Sequence, residues 1–358
     1  MNLISFKIEK REAPPFWFQV LTPVLAVVIS LLISSIFLLI LKQNPITAFR
    51  YMFTGAFGTR FALLEMLVKA SPLILTGIAV ALAFTGQYWN IGAEGQLYAG
   101  ALAATWVGLM DLPLPRIIYV PLLIVVGFIA GACWSVIPGY LKAKLKVDDV
   151  VTTLLMNYVM IYIVSALLNG PWRNPETMYP ASPLIAENAW YPMLAPRSRL
   201  HLGIIISVIA VLVMYFIVSR TKFGFELKAT GANPRAANFL GINTVRTLII
   251  TSIISGGIAG LAGVGEVAGV QQHLISSISP GYGYSGVVIA MLGKLNPFGV
   301  LLSAIYFAVV ITGSNVMSYN LNIPPYISDV IQGITLLVML AMLLLIDYRI
   351  SIRFGREK

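Results

Sequence analysis

Glu94 lies in the run Tyr88-Trp89-Asn90-Ile91-Gly92-Ala93-Glu94-Gly95-Gln96, an acid between long apolar stretches. An ionisable group at membrane depth costs roughly 2.5–3.5 kcal/mol on insertion scales, so it faces a bundle interior or water. Asn90 and Gln96 flank it. Each offers both donor and acceptor, which suits sugar hydroxyls or base edges. Gln87 adds a third carboxamide, and Tyr88 and Trp89 present rings able to stack on a planar solute. The competing reading is architectural: Glu94 and Asn90 cap broken helix ends and hold a turn. The two are compatible, because a structural turn can also line a path. Glu266, preceded by Gly263 and Gly265, is a second embedded acid for which the sequence names no partner, and Tyr282 and Tyr284 sit in a second polar stretch. This chemistry binds and passes a polar solute, or alternatively carries a proton on Glu94 or Glu266.

Other chemistries find little support. His201 and His273 are the only histidines and neither has a partner at metal-ligand spacing, so no metal site is expected. Cys133 is alone in an apolar run and is expected to be buried, and no disulfide can form within the chain. No Gly-x-x-x-x-Gly-Lys-Ser/Thr loop occurs, so the chain is expected to be non-catalytic and to hold no cofactor.

The elements that position these residues are membrane helices. Of 358 residues, 58% are hydrophobic and 11% charged, against about 25% charged in soluble domains. The expected fold is an all-α integral membrane protein forming one domain over residues 1–358. Taking about 20 apolar residues per crossing, spans fall near 18–41, 62–84, 93–110, 117–140, 150–169, 201–219, 246–268, 284–295, 298–317 and 326–346. The third and eighth are short and read as broken or partly re-entrant. The first run is too long for a signal peptide and lacks a cleavage site.

With ten spans and both termini inside, two thirds of the Lys and Arg fall on the cytoplasmic side, as the positive-inside rule requires. Residues 1–17 then form a cytoplasmic segment, 170–200 an extracytoplasmic loop and 220–244 a cytoplasmic segment. Lys42, Arg50, Arg60, Lys69, Arg116, Arg173, Arg197 and Arg199 fall outside. The net charge of +10 is read as membrane anchoring, not as a nucleic-acid stripe. The loop at 170–200 carries Pro171, Trp172, Pro175, Pro180, Pro183, Trp190, Pro192 and Pro196. It is read as an ordered lid and a landing surface for an external binding protein.

Residues 85–96 and 276–286 interrupt apolar spans with Gly and polar residues. Unwound backbone at membrane depth is tolerated only when buried in protein or lining a wet cavity. Matched interruptions in two halves point to a substrate site. Residues 75–83 resemble residues 254–262, and each precedes one break, which suggests an internal, inverted repeat.

Residues 219–243 are too polar to span. Phe225–Thr230 reads as one short helix ended by Gly231. Asn233 caps a second that starts at Pro234 and ends at Gly241. Such a knob, lying along the membrane, can seat in a groove of a soluble partner. The alternative is an amphipathic interfacial linker.

At these residues a resemblance emerges. The run Glu226-Leu-Lys-Ala-Thr-Gly-Ala-Asn-Pro-Arg-Ala-Ala, followed by Gly241-Ile242, resembles the coupling-helix motif of ABC importer permeases of the branched-chain amino acid and ribose group. Tyr88–Gln96 resembles the Asn-Ile-Gly-x-Glu-Gly-Gln signature of the branch that works with lipoproteins of the basic membrane protein type and imports nucleosides. Ribose and xylose permeases usually carry Gly-Gly-Ile-Asp-Leu-Ser-Val-Gly there. Met1–Phe16 is unexplained by these motifs. The resemblance implies two permease chains, often different, a cytoplasmic ATPase that holds ATP-Mg, and an external receptor. It implies alternating access, and docking of residues 224–243 on the ATPase through Gly224, Glu226, Lys228, Gly231, Asn233, Pro234, Ala236 and Gly241. Simple sugars and riboflavin are the alternative solutes. A proton-coupled secondary transporter is the alternative machine.

Overall fold

A computed structural model describes residues 4–10, 16–175, 178–324 and 326–354. A helix stands over each of the ten apolar segments: α1 (Phe16–Ile40), α3 (Arg60–Thr85), α4 (Ala93–Gly108), α5 (Arg116–Tyr140), α6 (Asp149–Asn169), α7 (Gly203–Arg220), α10 (Thr244–Gly265), α11 (Tyr282–Leu292), α12 (Pro297–Leu321) and α13 (Tyr326–Asp347). Among the described residues six of the helices are long and apolar enough to cross a bilayer, or seven if a bent pair counts as one span. Helices α4 and α11 are too short to pass that test.

The chain packs as two compact units, Thr59–Val309 and Met1–Gly58 with Val310–Lys358. The terminal unit departs from the all-helical expectation. Strands β1 (Ile4–Lys10) and β2 (Tyr348–Phe354) pair antiparallel, with Ile4 opposite Phe354 and Lys10 opposite Tyr348. β2 alternates apolar and polar throughout, and β1 does so from Ile4 to Glu9, the period of a strand, a signal that composition alone hid inside short charged termini. Helix α2 (Pro45–Phe57) was also not foreseen. Asn44 caps it by accepting from Ile46 N at 2.9 Å, and Pro45 takes the first position. The chain bends by 119° between α1 and α2. Leu38, Ala48, Met317, Ile323 and Ile331 form this unit's buried core.

In the larger unit, α10 packs on α3, α4 and α5, and α11 packs on α3. Glycines set the close approach: a Cβ on Gly131 of α5 would lie 2.9 Å from Gly260 Cα of α10. Without water to drive helices together, small residues permit backbone contact and dispersion. The polar segment between α7 and α10 forms α8 (Lys222–Ala232) and α9 (Pro234–Phe239). Helix α8 is longer at both ends than foreseen, starting after Thr221, whose hydroxyl accepts from Gly224 N at 3.1 Å. Gly231 therefore lies inside a helix and does not terminate one. Asn233 caps α9 as expected, accepting from Arg235 N and Ala236 N at 3.0 and 3.1 Å, and Gly241 follows with φ +84°. Cys133, expected to be buried, is exposed on the surface of α5.

Candidate functional site

The first break is a coil over residues 86–92 between α3 and α4. The carboxamide of Asn90 donates to Gln96 Oε1 at 3.0 Å and to Ser255 Oγ at 2.9 Å. Its oxygen accepts from Gln96 Nε2 at 2.9 Å and Gly92 N at 3.0 Å. Ser255 in turn donates to Ala79 O at 2.7 Å. Asn90 and Gln96 are both buried, so in this conformation they lock the turn, as the architectural reading anticipates. Tyr88 is also buried, whereas Gln87 and Trp89 are exposed.

Three residues that the sequence reading missed hold the rest of this coil. Asp149, Thr153 and Asn157 recur every four residues along one face of α6. Trp89 N donates to Asp149 Oδ2 at 2.7 Å, Ile91 N to Thr153 Oγ1 at 3.1 Å, and Gly95 N to Asn157 Oδ1 at 2.8 Å. Asn157 Nδ2 donates back to Ile91 O at 2.9 Å. Lys142 pairs with Asp149 at 2.7 Å. Unwound backbone thus finds side-chain partners in place of a helix ladder. The period-four polar face was the available signal. Asn157→Leu strands two backbone groups, each unmade bond costing about 1–3 kcal/mol, so thermal unfolding in detergent should begin several degrees earlier. Tyr158→Leu, at an exposed position one residue on, should leave the curve in place.

The second break ends at Gly281, whose φ of +94° favours glycine. Ser279 Oγ accepts from Gly281 N at 3.1 Å and Tyr282 N at 3.0 Å, starting α11. Glu94 joins the two breaks. Its Oε2 accepts from Gly283 N at 2.6 Å, and a Cβ on Gly283 would lie 2.5 Å from Glu94 Cα. The carboxylate therefore sits on the amino-terminal end of α11, where the helix dipole favours negative charge. Thr76 of α3 donates to Tyr282 O at 3.0 Å. At 1.5 Å per residue, Thr76 is about 24 Å along α3 from Arg60 and about 13 Å from Thr85, so the breaks meet well inside the bundle.

Lys69, inside the expected span 62–84, lies within α3 and donates to Tyr282 OH at 3.1 Å. Glu266 is buried where the charges of Lys69 and Arg199 act on it. Tyr284 is half-buried on α11. The loop at 170–200 straps the approach to the second break: Ser182 N donates to Leu274 O at 2.9 Å, Ile185 N to Gln272 O at 2.9 Å and Tyr191 N to Ala268 O at 2.8 Å. From its end, Arg199 grips both carboxylate oxygens of Glu65 on α3.

His201 anchors that strap. Its Nδ1 accepts from Gly203 N at 3.0 Å. Burial, and then the Arg199 charge, push its pKa from 6.5 down to about 4. The unfolded state binds the proton more readily, so stability is full above pH 6.5 and falls as the pH drops toward 4. The loss approaches about 3 kcal/mol. Limited proteolysis should cut the loop at 170–200 faster across that window, and His201→Asn, which keeps an acceptor, should flatten the dependence.

On the opposite face, the residues assigned to coupling meet the first break. Leu227 of α8 is fully buried, and its Cδ1 lies 2.6 Å from where a Cβ on Gly86 would stand. Gly224 and Gly231 are buried, Glu226 pairs with Lys222 at 3.7 Å, and Lys228 is exposed. Lys294 lines a cavity with Lys228 and Gly231, which places it on the same face as α8.

A bundle with two meeting helix breaks and a helical knob seated on one of them defines a membrane permease. The chain belongs to the family of branched-chain amino acid transport system permease components, whose model matches residues 62–340. It is 35% identical to the nucleoside ABC transporter permease protein NupB of Lactococcus lactis, over 88% of this chain and 89% of that one. It is 32% identical to the guanosine ABC transporter permease protein NupP of Bacillus subtilis, over 95% and 97%. It is 33% identical to the glucose ABC transporter permease protein TsgB13 of Haloferax volcanii, over 99% and 96%. No solved structure matches.

Proposed function

We propose that the chain is the membrane-spanning subunit of an ATP-driven importer for nucleosides, working by alternating access with a second permease chain, a cytoplasmic ATPase that holds ATP-Mg, and an external binding lipoprotein. A series of polar pairs carries this reading. Arg199 binds Glu65, Lys69 binds Tyr282, Glu94 binds the backbone of Gly283 and Asn90 binds Gln96, while Trp89 and Gln87 line a cavity beside α8. Both breaks place unwound backbone among buried residues of the larger unit. The knob that would feel the ATPase touches the first of them.

The names of the relatives, two for nucleosides or guanosine and one for glucose, support a ring-bearing or sugar-like solute. The paired relatives in Lactococcus lactis and Bacillus subtilis support a heterodimer. Pairing of β1 with β2 supports an even number of crossings, ten in our reading with α4 and α11 as partial spans, and termini on one side of the membrane, and the excess of Lys and Arg on that side supports the cytoplasm. A repeat relating α3 to α10 gains support from crossed contacts: Thr76 binds the second break, and Ser255, at the corresponding position, binds the first.

The test is uptake of labelled guanosine, adenosine, ribose and glucose into proteoliposomes holding the whole assembly. ATP-dependent nucleoside uptake without a proton gradient is expected. Uptake of glucose alone would transfer the chain to the sugar branch. Uptake by this chain with a proton gradient and no ATPase would overturn the importer reading.

A further inference from the structure

Between the first break, α8 and the turn from α11 to α12 lies a cavity of about 570 Å³. Trp89 forms one wall. It is 41% exposed, yet its backbone is held at both ends, by Asp149 and by Thr153. Its ring packs against the edge of Phe84 with centroids 4.6 Å apart. A fixed, accessible indole in a cavity is a stacking platform for a planar ring. Gln87, also in the lining, holds φ +55°, a left-handed conformation that costs a non-glycine residue energy and clusters at functional sites. Asn296 uses its oxygen to cap α12, accepting from Phe298 N at 3.0 Å, which leaves its amide nitrogen to donate. Lys228 and Lys294 bring positive charge, and among the described lining residues there is no acid. Among the described residues Lys228 has no ion pair.

A neutral solute on its way out needs no ammonium groups, and a cationic one is repelled by them. A ring platform, amides for a ring edge and two ammonium groups together match an aromatic base that carries a phosphate. We propose that this cavity is a regulatory site for a nucleoside monophosphate on the cytoplasmic face. In a coupling stroke α8 and the break it seats on move together against the turn from α11 to α12, Lys228 riding on α8 and Asn296 fixed to that turn. A ligand held by both ties the lever to that turn and slows the pump as phosphorylated product accumulates. That feedback role rests on the nucleoside importer reading, whereas binding does not.

The experiment titrates the whole assembly in nanodiscs, without ATP, with GMP, guanosine and ribose 5-phosphate, following tryptophan fluorescence. GMP should quench saturably, and Trp89→Phe should remove that component from the signal of the six tryptophans. Lys228→Gln should weaken GMP about tenfold, equal to about 1.4 kcal/mol. GMP trapped on the cytoplasmic side should slow guanosine uptake severalfold. Equal affinity for guanosine would make the cavity an exit subsite and overturn the proposal. Equal affinity for ribose 5-phosphate would make it a simple phosphate or lipid-headgroup site and also overturn it, as would the absence of a saturable quench. Saturable GMP binding in an assembly that imports no nucleoside would uphold the site and sink the importer reading instead.

Discussion

Gly231→Val should abolish coupled uptake while the permease stays folded. Gly231 is buried on α8, and a Cβ there would run into the carbonyl oxygen of Thr85 and come within 3.4 Å of Gly86 Cα. Both neighbours are backbone at the end of α3, so neither can rotate away. One turn earlier, Leu227 fills the space over Gly86. These two contacts seat the knob on the point where α3 gives way to the first break. Overpacking of this kind costs typically about 1–3 kcal/mol, less than a large membrane domain needs to unfold but enough to lift α8 from its seat. Reconstituted with receptor and ATPase, the variant should lose more than about tenfold in solute uptake, while ATP hydrolysis continues and the unfolding temperature shifts little. Leu227→Ala, which empties the same seat without displacing α8, should give an intermediate loss. Wild-type uptake by Gly231→Val would show that this contact transmits nothing.

Much of the architecture was legible because lipid imposes a simple code. Runs such as 117–140 and 326–346 can only be buried in protein or lipid, and Asn233-Pro234 announces a helix start wherever it is solvated. The two breaks were legible for the same reason, since Gly and polar residues inside apolar runs have few other uses. That they meet each other was not. Glu94 finds Gly283, and Asn90 finds Ser255, across separations of more than 160 residues, and composition carries no register for such pairs. Asp149, Thr153 and Asn157 were overlooked because α6 reads as apolar on average, and only their period of four distinguishes them. Lys69 sits inside the span 62–84 with no partner named by the sequence, and Tyr282, more than 200 residues on, offers it a hydroxyl. The terminal strands escaped because seven residues of alternation are short beside 25-residue helices. Gly231 was read as a stop, the usual role of a glycine in a polar segment, when its function is to let two backbones touch.

Glu94 should separate architecture from proton chemistry. Its carboxylate accepts from Gly283 N at 2.6 Å, and Ser279 also hydrogen-bonds to it, so it organises both breaks from one position. Hydrogen bonds to a charged acceptor contribute about 1.5–3 kcal/mol each. Glu94→Ala should therefore lower the unfolding temperature by several degrees and reduce uptake at least about tenfold, because α11 loses its partner and the breaks lose their common point. Glu94→Gln keeps one carbonyl oxygen for Gly283 and a side chain of nearly the same shape. It should retain most of the stability and much of the ATP-driven uptake, at a rate independent of any proton gradient. A proton carrier behaves differently: the amide cannot titrate, so Glu94→Gln would abolish gradient-driven uptake as completely as alanine does, with stability unchanged. Measuring uptake and unfolding for the two variants side by side decides between them. A stable but inert Glu94→Gln protein would mean that the residue's charge, not its grip on α11, is what transport uses.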